Sequence, residues 1–192
     1  MSNLSRIAIY CGHQAGGNPA YEAAAIALAN AMAERGIDLV YGGGKLGLMG
    51  IVADTVLAAG GKVYGVIPQS LVDVEVAHQG LTELHPVAGM HERKAKMTEL
   101  TDAFVCLPGG IGTMDELMEA WTWNALGYHA KPFCLLNVEG FWDGFAAFCD
   151  TVRDEGFMSA ERREQLLMAH DASEAIEKLD AAAASRQQGM VW

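Results

Sequence analysis

Short runs of apolar and β-branched residues recur along the chain, at 7–11, 37–41, 62–67, 103–107 and 133–138, and each reads as a strand. Between most of them the apolar residues fall at helical spacing: an alanine-rich segment at 21–35, a similar one at 48–59, then 90–100 and 114–126, with 141–155 beyond the last strand. Strands that alternate with helices predict a parallel sheet covered on both faces, an α/β fold. In such folds ligands bind at the carboxyl ends of strands, where the glycine turns Gly42-Gly43-Gly44 and Gly109-Gly110 both fall. Within 68–89 the pattern weakens, so a short helix or loop over the site and a further strand near Leu84 are expected. From Ala160 onward the chain reads as one or two helices ending in a frayed, polar stretch at 185–189. No internal repeat and no linker divides the 192 residues, so a single domain spanning 1–192 is the expectation.

The hydrophobic fraction of 51% supplies a large core, and 19% charged residues argue against disorder. A net charge of −11 makes the chain a poor partner for nucleic acid, whose affinity rests on Lys and Arg. A small anionic ligand in a local pocket stays compatible with it. The four cysteines, Cys11, Cys106, Cys134 and Cys149, form no CxxC pair and read as buried reduced thiols. Residues 1–6 pass straight into a strand pattern without the layout of a signal peptide, and no run approaches membrane-spanning length. A cytoplasmic protein without a membrane partner is expected.

The most informative stretch is Leu107-Pro108-Gly109-Gly110-Ile111-Gly112-Thr113-Met114-Asp115-Glu116, an apolar run, a glycine loop and a helix that opens with carboxylates. Gly109, Gly110 and Gly112 let backbone N–H groups approach a ligand, and the helix N-terminus behind them favours an anion. Glu116 shares a helix face with Thr113 and could reach a substrate anchored by its phosphate. A glycine turn ahead of an acidic surface helix has the same spacing. Gly42-Gly43-Gly44-Lys45-Leu46-Gly47 matches a dinucleotide fingerprint, but the acid required about 20 residues on is missing, so NAD is rejected. What survives is a second glycine loop able to wrap an anion or sugar. Lys45 is followed by Leu46 rather than Ser or Thr, which argues against a P-loop, and the scattered histidines form no metal-binding pair. Met90-His91-Glu92-Arg93-Lys94-Ala95-Lys96-Met97 is a dense charge cluster, read either as a solvated helix face or as anion recognition by the planar fork of Arg93.

With these residues in view, the chain resembles the LOG family of cytokinin riboside 5'-monophosphate phosphoribohydrolases, often labelled lysine decarboxylases. The likeness runs nearly end to end. It rests on Tyr41-Gly42-Gly43-Gly44 with Gly47-Leu48-Met49-Gly50, Gly65-Val66-Ile67-Pro68, Met90-His91-Glu92-Arg93-Lys94, the Pro108 to Glu116 motif, and Thr122-Trp123 with Leu126-Gly127. The resemblance implies a Rossmann-like, doubly wound homodimer whose sites borrow residues from the partner subunit. It places the catalytic glutamate on Glu116 and the family arginine on Arg93. Substrate contacts carried over from the family fall on Glu75, Lys94, Gly109, Gly110, Ile111, Gly112, Thr113, Asp115 and Thr122, beside the loop of Gly42, Gly43 and Gly44. Two positions depart from the family pattern. Cys11-Gly12-His13-Gln14 stands where many relatives have Cys-Gly-Ser-Ser, leaving the sugar or base contacts there unassigned, and Asp115 replaces a common Glu.

The reaction so implied is hydrolysis of the N-glycosidic bond of an N6-modified adenosine 5'-monophosphate to free base and ribose 5-phosphate, without cofactor or metal. Cleavage builds oxocarbenium-like charge at the sugar carbon, which a carboxylate at Glu116 would stabilise while orienting or deprotonating water. Arg93 would neutralise phosphate, orient Glu116 or assist the departing base. A decarboxylase would instead need a lysine marked as holding a pyridoxal cofactor, and none is marked. Two alternatives stay open: a general nucleoside monophosphate nucleosidase, and a non-catalytic carrier of a phosphorylated cofactor.

Overall fold

The structure, a computed structural model, describes residues 3–72 and 77–188. One sheet holds β1 (Arg6–Tyr10), β2 (Asp38–Tyr41), β3 (Val63–Pro68), β4 (Glu83–Val87), β5 (Ala103–Cys106), β6 (Phe133–Leu136) and β7 (Leu166–Ala169). Their order is β4-β3-β2-β1-β5-β6-β7, and every neighbouring pair is parallel. The helices are α1 (Pro19–Glu34), α2 (Gly47–Ala58), α3 (Gln69–Val72), α4 (Met90–Leu100), α5 (Ile111–Ala125), α6 (Asp143–Asp154), α7 (Ala160–Glu164) and α8 (Ala172–Gln188).

Alternate residues of the central strands feed two cores. Ile7, Ile9, Leu39, Tyr41, Val105 and Leu136 pack with α1, α2 and α8. Ala8, Tyr10, Val40, Phe104 and Leu135 pack on the other face with Met97 of α4, Leu117 and Trp121 of α5 and Cys149 of α6. Burial on both faces is why these strands read as unbroken apolar runs.

From β1 the chain winds outward to β4 with α1 and α2 in one layer; α4 then returns it to β5, on the far side of β1, and α5 and α6 lead on in the opposite layer. Right-handed crossovers put helices on opposite faces when the direction of travel reverses. The chain therefore leaves β1 and β5 toward opposite faces of the sheet, and a crevice opens at their carboxyl ends. This is the doubly wound arrangement.

The strand near Leu84 is β4, an edge strand whose Pro86 is tolerated because it needs no outer partner. The C-terminal segment differs from expectation, since Leu166–Ala169 is a strand between two helices. Its residues, Leu, Leu, Met and Ala, are good helix formers, and pairing with β6 overrides that preference. α8 stays helical through Gln188. All four cysteines are free and buried. Among the described residues no helix is long and apolar enough to cross a membrane.

Phe104 lies fully buried on β5 and stacks on Tyr10 with ring centroids 5.6 Å apart. Phe104→Ala is expected to lose about 3–5 kcal/mol of stability in urea denaturation. A loss below about 1 kcal/mol would mean that this layer of the core collapses around the gap.

Candidate active site

The loops at the crevice are tied to one another before any ligand arrives. The Gly12 N–H donates to the Pro108 carbonyl at 3.1 Å, joining the loops after β1 and β5. Gly109 lies so close to Thr113 that a Cβ there would collide with the Thr113 hydroxyl. The chain can therefore enter α5 abruptly. Gly110 is the N-cap of α5, no side chain caps that end, and Gly110 and Gly112 have open space where a Cβ would stand. The first N–H groups of α5 are left for solvent or a ligand.

The second glycine loop is built differently. Gly42 seats an arginine: a Cβ there would occupy the place of the Arg93 guanidinium, whose Nη2 donates to the Gly42 carbonyl at 3.3 Å and whose Nε donates to the Val66 carbonyl at 3.1 Å. The Gly43 carbonyl accepts the His78 N–H at 2.9 Å, and Gly44 bridges Ala77. His78 Nδ1 accepts from the Gly80 N–H at 3.0 Å, so its Nε2 carries the proton donated to Asp54 of α2 at 2.9 Å. Gly47, at φ +59°, presses against the His13 backbone, a conformation and a closeness that only glycine accepts. α2 also begins without a side-chain cap.

Between these elements lies a cavity of about 690 Å³. Its lining includes the glycine-rich set Gly42, Gly44, Gly110, Gly112 and Thr113. It also includes the apolar side chains Ile9, Leu46, Met49, Ile67 and Leu71. Arg93 of α4 and Glu116 of α5 meet in it as an ion pair, Nη2 to Oε1, at 3.4 Å. Glu116 is only 8% exposed. Burial pushes its carboxyl up to about 7, against the pull of Arg93; Asp115 raises it further and Lys94 lowers it. Burial also raises the Tyr10 and Cys11 pKa values well above their ordinary range, which keeps both groups neutral.

The structure brings together Arg93, Glu116, Gly42, Gly44, Gly110, Ile111, Gly112 and Thr113 around this space, and His13 joins them. Gly43 and Gly109 stand just behind it and shape the backbone. Lys94 and Asp115 do not line the cavity: the Lys94 ammonium, 5% exposed as a residue, is held 3.0 Å from Asp115 Oδ2 and 2.5 Å from Glu119 Oε2. Burial works against that charge, but the hydrogen bonds to Glu119 and Asp115 outweigh it and raise the Lys94 pKa. Thr122 is exposed on the outer side of α5. Glu75 lies outside the described residues. The sequence left Glu119 unmarked, although its place one turn beyond Asp115 signals it; the loop ending at His78 was expected near the pocket, but nothing local to His78 marks its contact with Gly43. Among the described residues no group of three or more His, Cys, Asp or Glu is placed to hold a metal ion.

A family profile described as "Possible lysine decarboxylase" matches residues 49–179. A cytokinin riboside 5'-monophosphate phosphoribohydrolase, LOG, of Oryza sativa subsp. japonica is 47% identical over 191 residues, covering 100% of this chain and 79% of that protein. An Arabidopsis thaliana protein of the same descriptive name is 46% identical over 179 residues, covering 93% of this chain and 82% of that one. Among solved structures, the molybdenum cofactor carrier protein of Chlamydomonas reinhardtii superposes with a TM-score of 0.69 at 21% identity, over 93% of this chain and 98% of that chain. The molybdenum cofactor binding protein of Rippkaea orientalis gives 0.69 at 18% identity, over 92% and 95%. These structural likenesses are of fold, whereas identity approaching half of all positions along nearly the whole length identifies a common family. By that measure the chain belongs to the LOG family of cytokinin riboside 5'-monophosphate phosphoribohydrolases.

Proposed function

We propose that the protein hydrolyses the N-glycosidic bond of N6-modified adenosine 5'-monophosphates, releasing free base and ribose 5-phosphate. The observation that carries this reading is the buried Arg93–Glu116 pair, set in one cavity with the open N-terminus of α5. A volume of about 690 Å³ suits a nucleotide-sized ligand. The 5'-phosphate sits at the N–H groups of residues 110–113, where the helix dipole favours negative charge. Binding energy gained at the phosphate positions the sugar carbon against Glu116. As the bond from that carbon to the base nitrogen breaks, the ionised carboxylate stabilises the positive charge on the sugar and takes a proton from the attacking water, whose oxygen completes ribose 5-phosphate. The base departs with the bonding electrons and takes up a proton.

Arg93 serves chiefly to orient Glu116. Two of its nitrogens are anchored on backbone carbonyls, which leaves the guanidinium no freedom to follow a departing group. The apolar side chains lining the cavity favour an adenine carrying a hydrocarbon substituent over AMP, since an apolar group buried there gains roughly 25 cal/mol per Å² removed from water. A pure carrier would have no use for a carboxylate buried at such cost. The net charge of −11 argues against nucleic acid as the partner, and four free, buried thiols suit the reducing cytoplasm.

A homodimer completes the reading. Ile111, Met114 and Met118 are exposed in a stripe along α5, at a spacing of three and four residues. Thr122 continues that stripe by one further turn, so a second copy docked on it would meet Thr122. Sedimentation analysis should give a dimer for the parent and a monomer for Met118→Glu; a monomeric parent would remove this part of the proposal.

Free-base release measured from prenylated AMP, AMP and the dephosphorylated nucleosides tests the reaction itself. The prenylated monophosphate should be preferred; preference for AMP would favour the salvage nucleosidase, and no turnover with any would favour a carrier. Glu116→Gln is expected to keep substrate binding and lose about 10²- to 10⁴-fold in kcat, the usual span for acid–base assistance. Arg93→Ala should fall in the same direction, and unchanged constants in either variant would take that residue out of the mechanism.

Because Glu116 acts ionised and burial lifts its pKa to about 7, kcat/KM should fall as pH drops through about 7, approaching tenfold per unit below it. The substrate phosphate titrates near 6 and adds its own effect only at lower pH. A profile flat from pH 8 to 6 would contradict a Glu116 that acts ionised and titrates near 7.

A further inference from the structure

Lys94 and Arg93 are neighbours on α4, as Asp115 and Glu116 are on α5. Arg93 points into the cavity and pairs with Glu116, whereas Lys94 buries its ammonium between Asp115 Oδ2, at 3.0 Å, and Glu119 Oε2, at 2.5 Å. Asp115 and Glu119 are four residues apart, one helical turn, so a single cation spans the turn of α5 that carries Glu116. We propose that Lys94 is a positioning residue: its ammonium clamps this turn to α4 and holds Glu116 in register with Arg93, without touching the substrate.

The proposal rests on the hydrolytic reading for its kinetic consequence but not for its physical one. Asp115 beside the largely buried Glu116 disfavours its ionised form, and the Lys94 charge offsets it. The charged groups that act on Glu116 are Arg93 and Lys94 from α4 and Asp115 from α5 itself, with Glu119 held on Lys94 one turn further on. Tyr10 and Cys11 from β1 and its end, and Cys106 from β5, also face it, but burial keeps those three protonated. Lys94 is thus one of two cations that keep Glu116 ionised, and it is the one that a bound phosphate cannot recruit, because it lies outside the cavity. Breaking a buried ion pair by removing one partner is costly, so Lys94→Met tests both the clamp and the charge.

The readout is the Glu116 carboxyl resonance in full-length protein labelled with ¹³C at the glutamate carboxyl, assigned by its absence from Glu116→Gln and followed through a pH titration. In Lys94→Met its midpoint should rise. Lys94→Arg should return it close to the parental value. Asp115→Asn, which leaves the ammonium a neutral hydrogen-bond partner, should move the midpoint downward, and it supplies the test if Lys94→Met does not fold. An unmoved midpoint in a folded Lys94→Met or in Asp115→Asn overturns the proposal.

In parallel, base release by Lys94→Met at neutral pH should lose roughly tenfold in kcat, with KM within about twofold of the parent. A raised KM at unchanged kcat would make Lys94 a substrate contact and overturn the proposal. If the parent itself releases no base from any monophosphate, the hydrolytic reading fails, while the titration still decides the role of Lys94.

Discussion

Everything at the site depends on taking the Glu116 carboxylate out of water beside a single fixed guanidinium. A carboxylate in an apolar setting is destabilised as an anion, and a partner cation at 3.4 Å restores only part of that loss, which leaves a group balanced between its two forms near neutrality. A fully exposed glutamate would be ionised but weakly basic and freely hydrated. One buried without Arg93 would stay protonated. The fold supplies the intermediate condition by placing α4 and α5 in the same layer, on the side of the sheet where Tyr10, Phe104 and Cys106 exclude solvent.

That balance requires a rigid surround, and the glycines of the two loops provide it by absence. A side chain at Gly42 would displace the guanidinium, one at Gly109 would displace Thr113, and one at Gly47 would separate α2 from the loop after β1. The two loops differ in purpose. The turn at 109–112 exposes N–H groups, whereas the carbonyls of Gly42 and Gly43 are already engaged by Arg93 and His78. The first is shaped to receive a ligand and the second mainly to hold the arginine that serves the acid.

Much of this was legible beforehand because it depends on local rules. Fully apolar runs alternating with helical periodicity leave little choice but a parallel sheet with both faces covered, and a glycine turn entering a helix points to the end of the sheet where the cavity opens. The pairing of Arg93 with Glu116 was signalled by charge and by family likeness rather than by spacing, since 22 residues, a strand among them, lie between the two. β7 was hidden because its residues prefer helix and become a strand only through β6. The destination of the Lys94 side chain was hidden for a related reason. A lysine beside an arginine in a charged helix reads as exposed, and only the docking of α4 near α5 turns it inward.

The charge of the molecule bears on how it would hold a dianionic ligand. Lys94 is spent on Asp115 and Glu119, and Arg93 on Glu116, so the side chains around the acid bring no surplus of positive charge. Among the described residues lining the cavity, Arg93 is the sole permanent cation. On the proposed reading, a phosphate would therefore be held by oriented backbone N–H groups, above all those of α5, with the α2 end opening nearby. Such dipoles are fixed in place, carry no counterion atmosphere, and leave the carboxylate uncontested by a mobile lysine. An acidic protein can in this way bind an anion without sacrificing the repulsion that its net charge of −11 directs against larger polyanions.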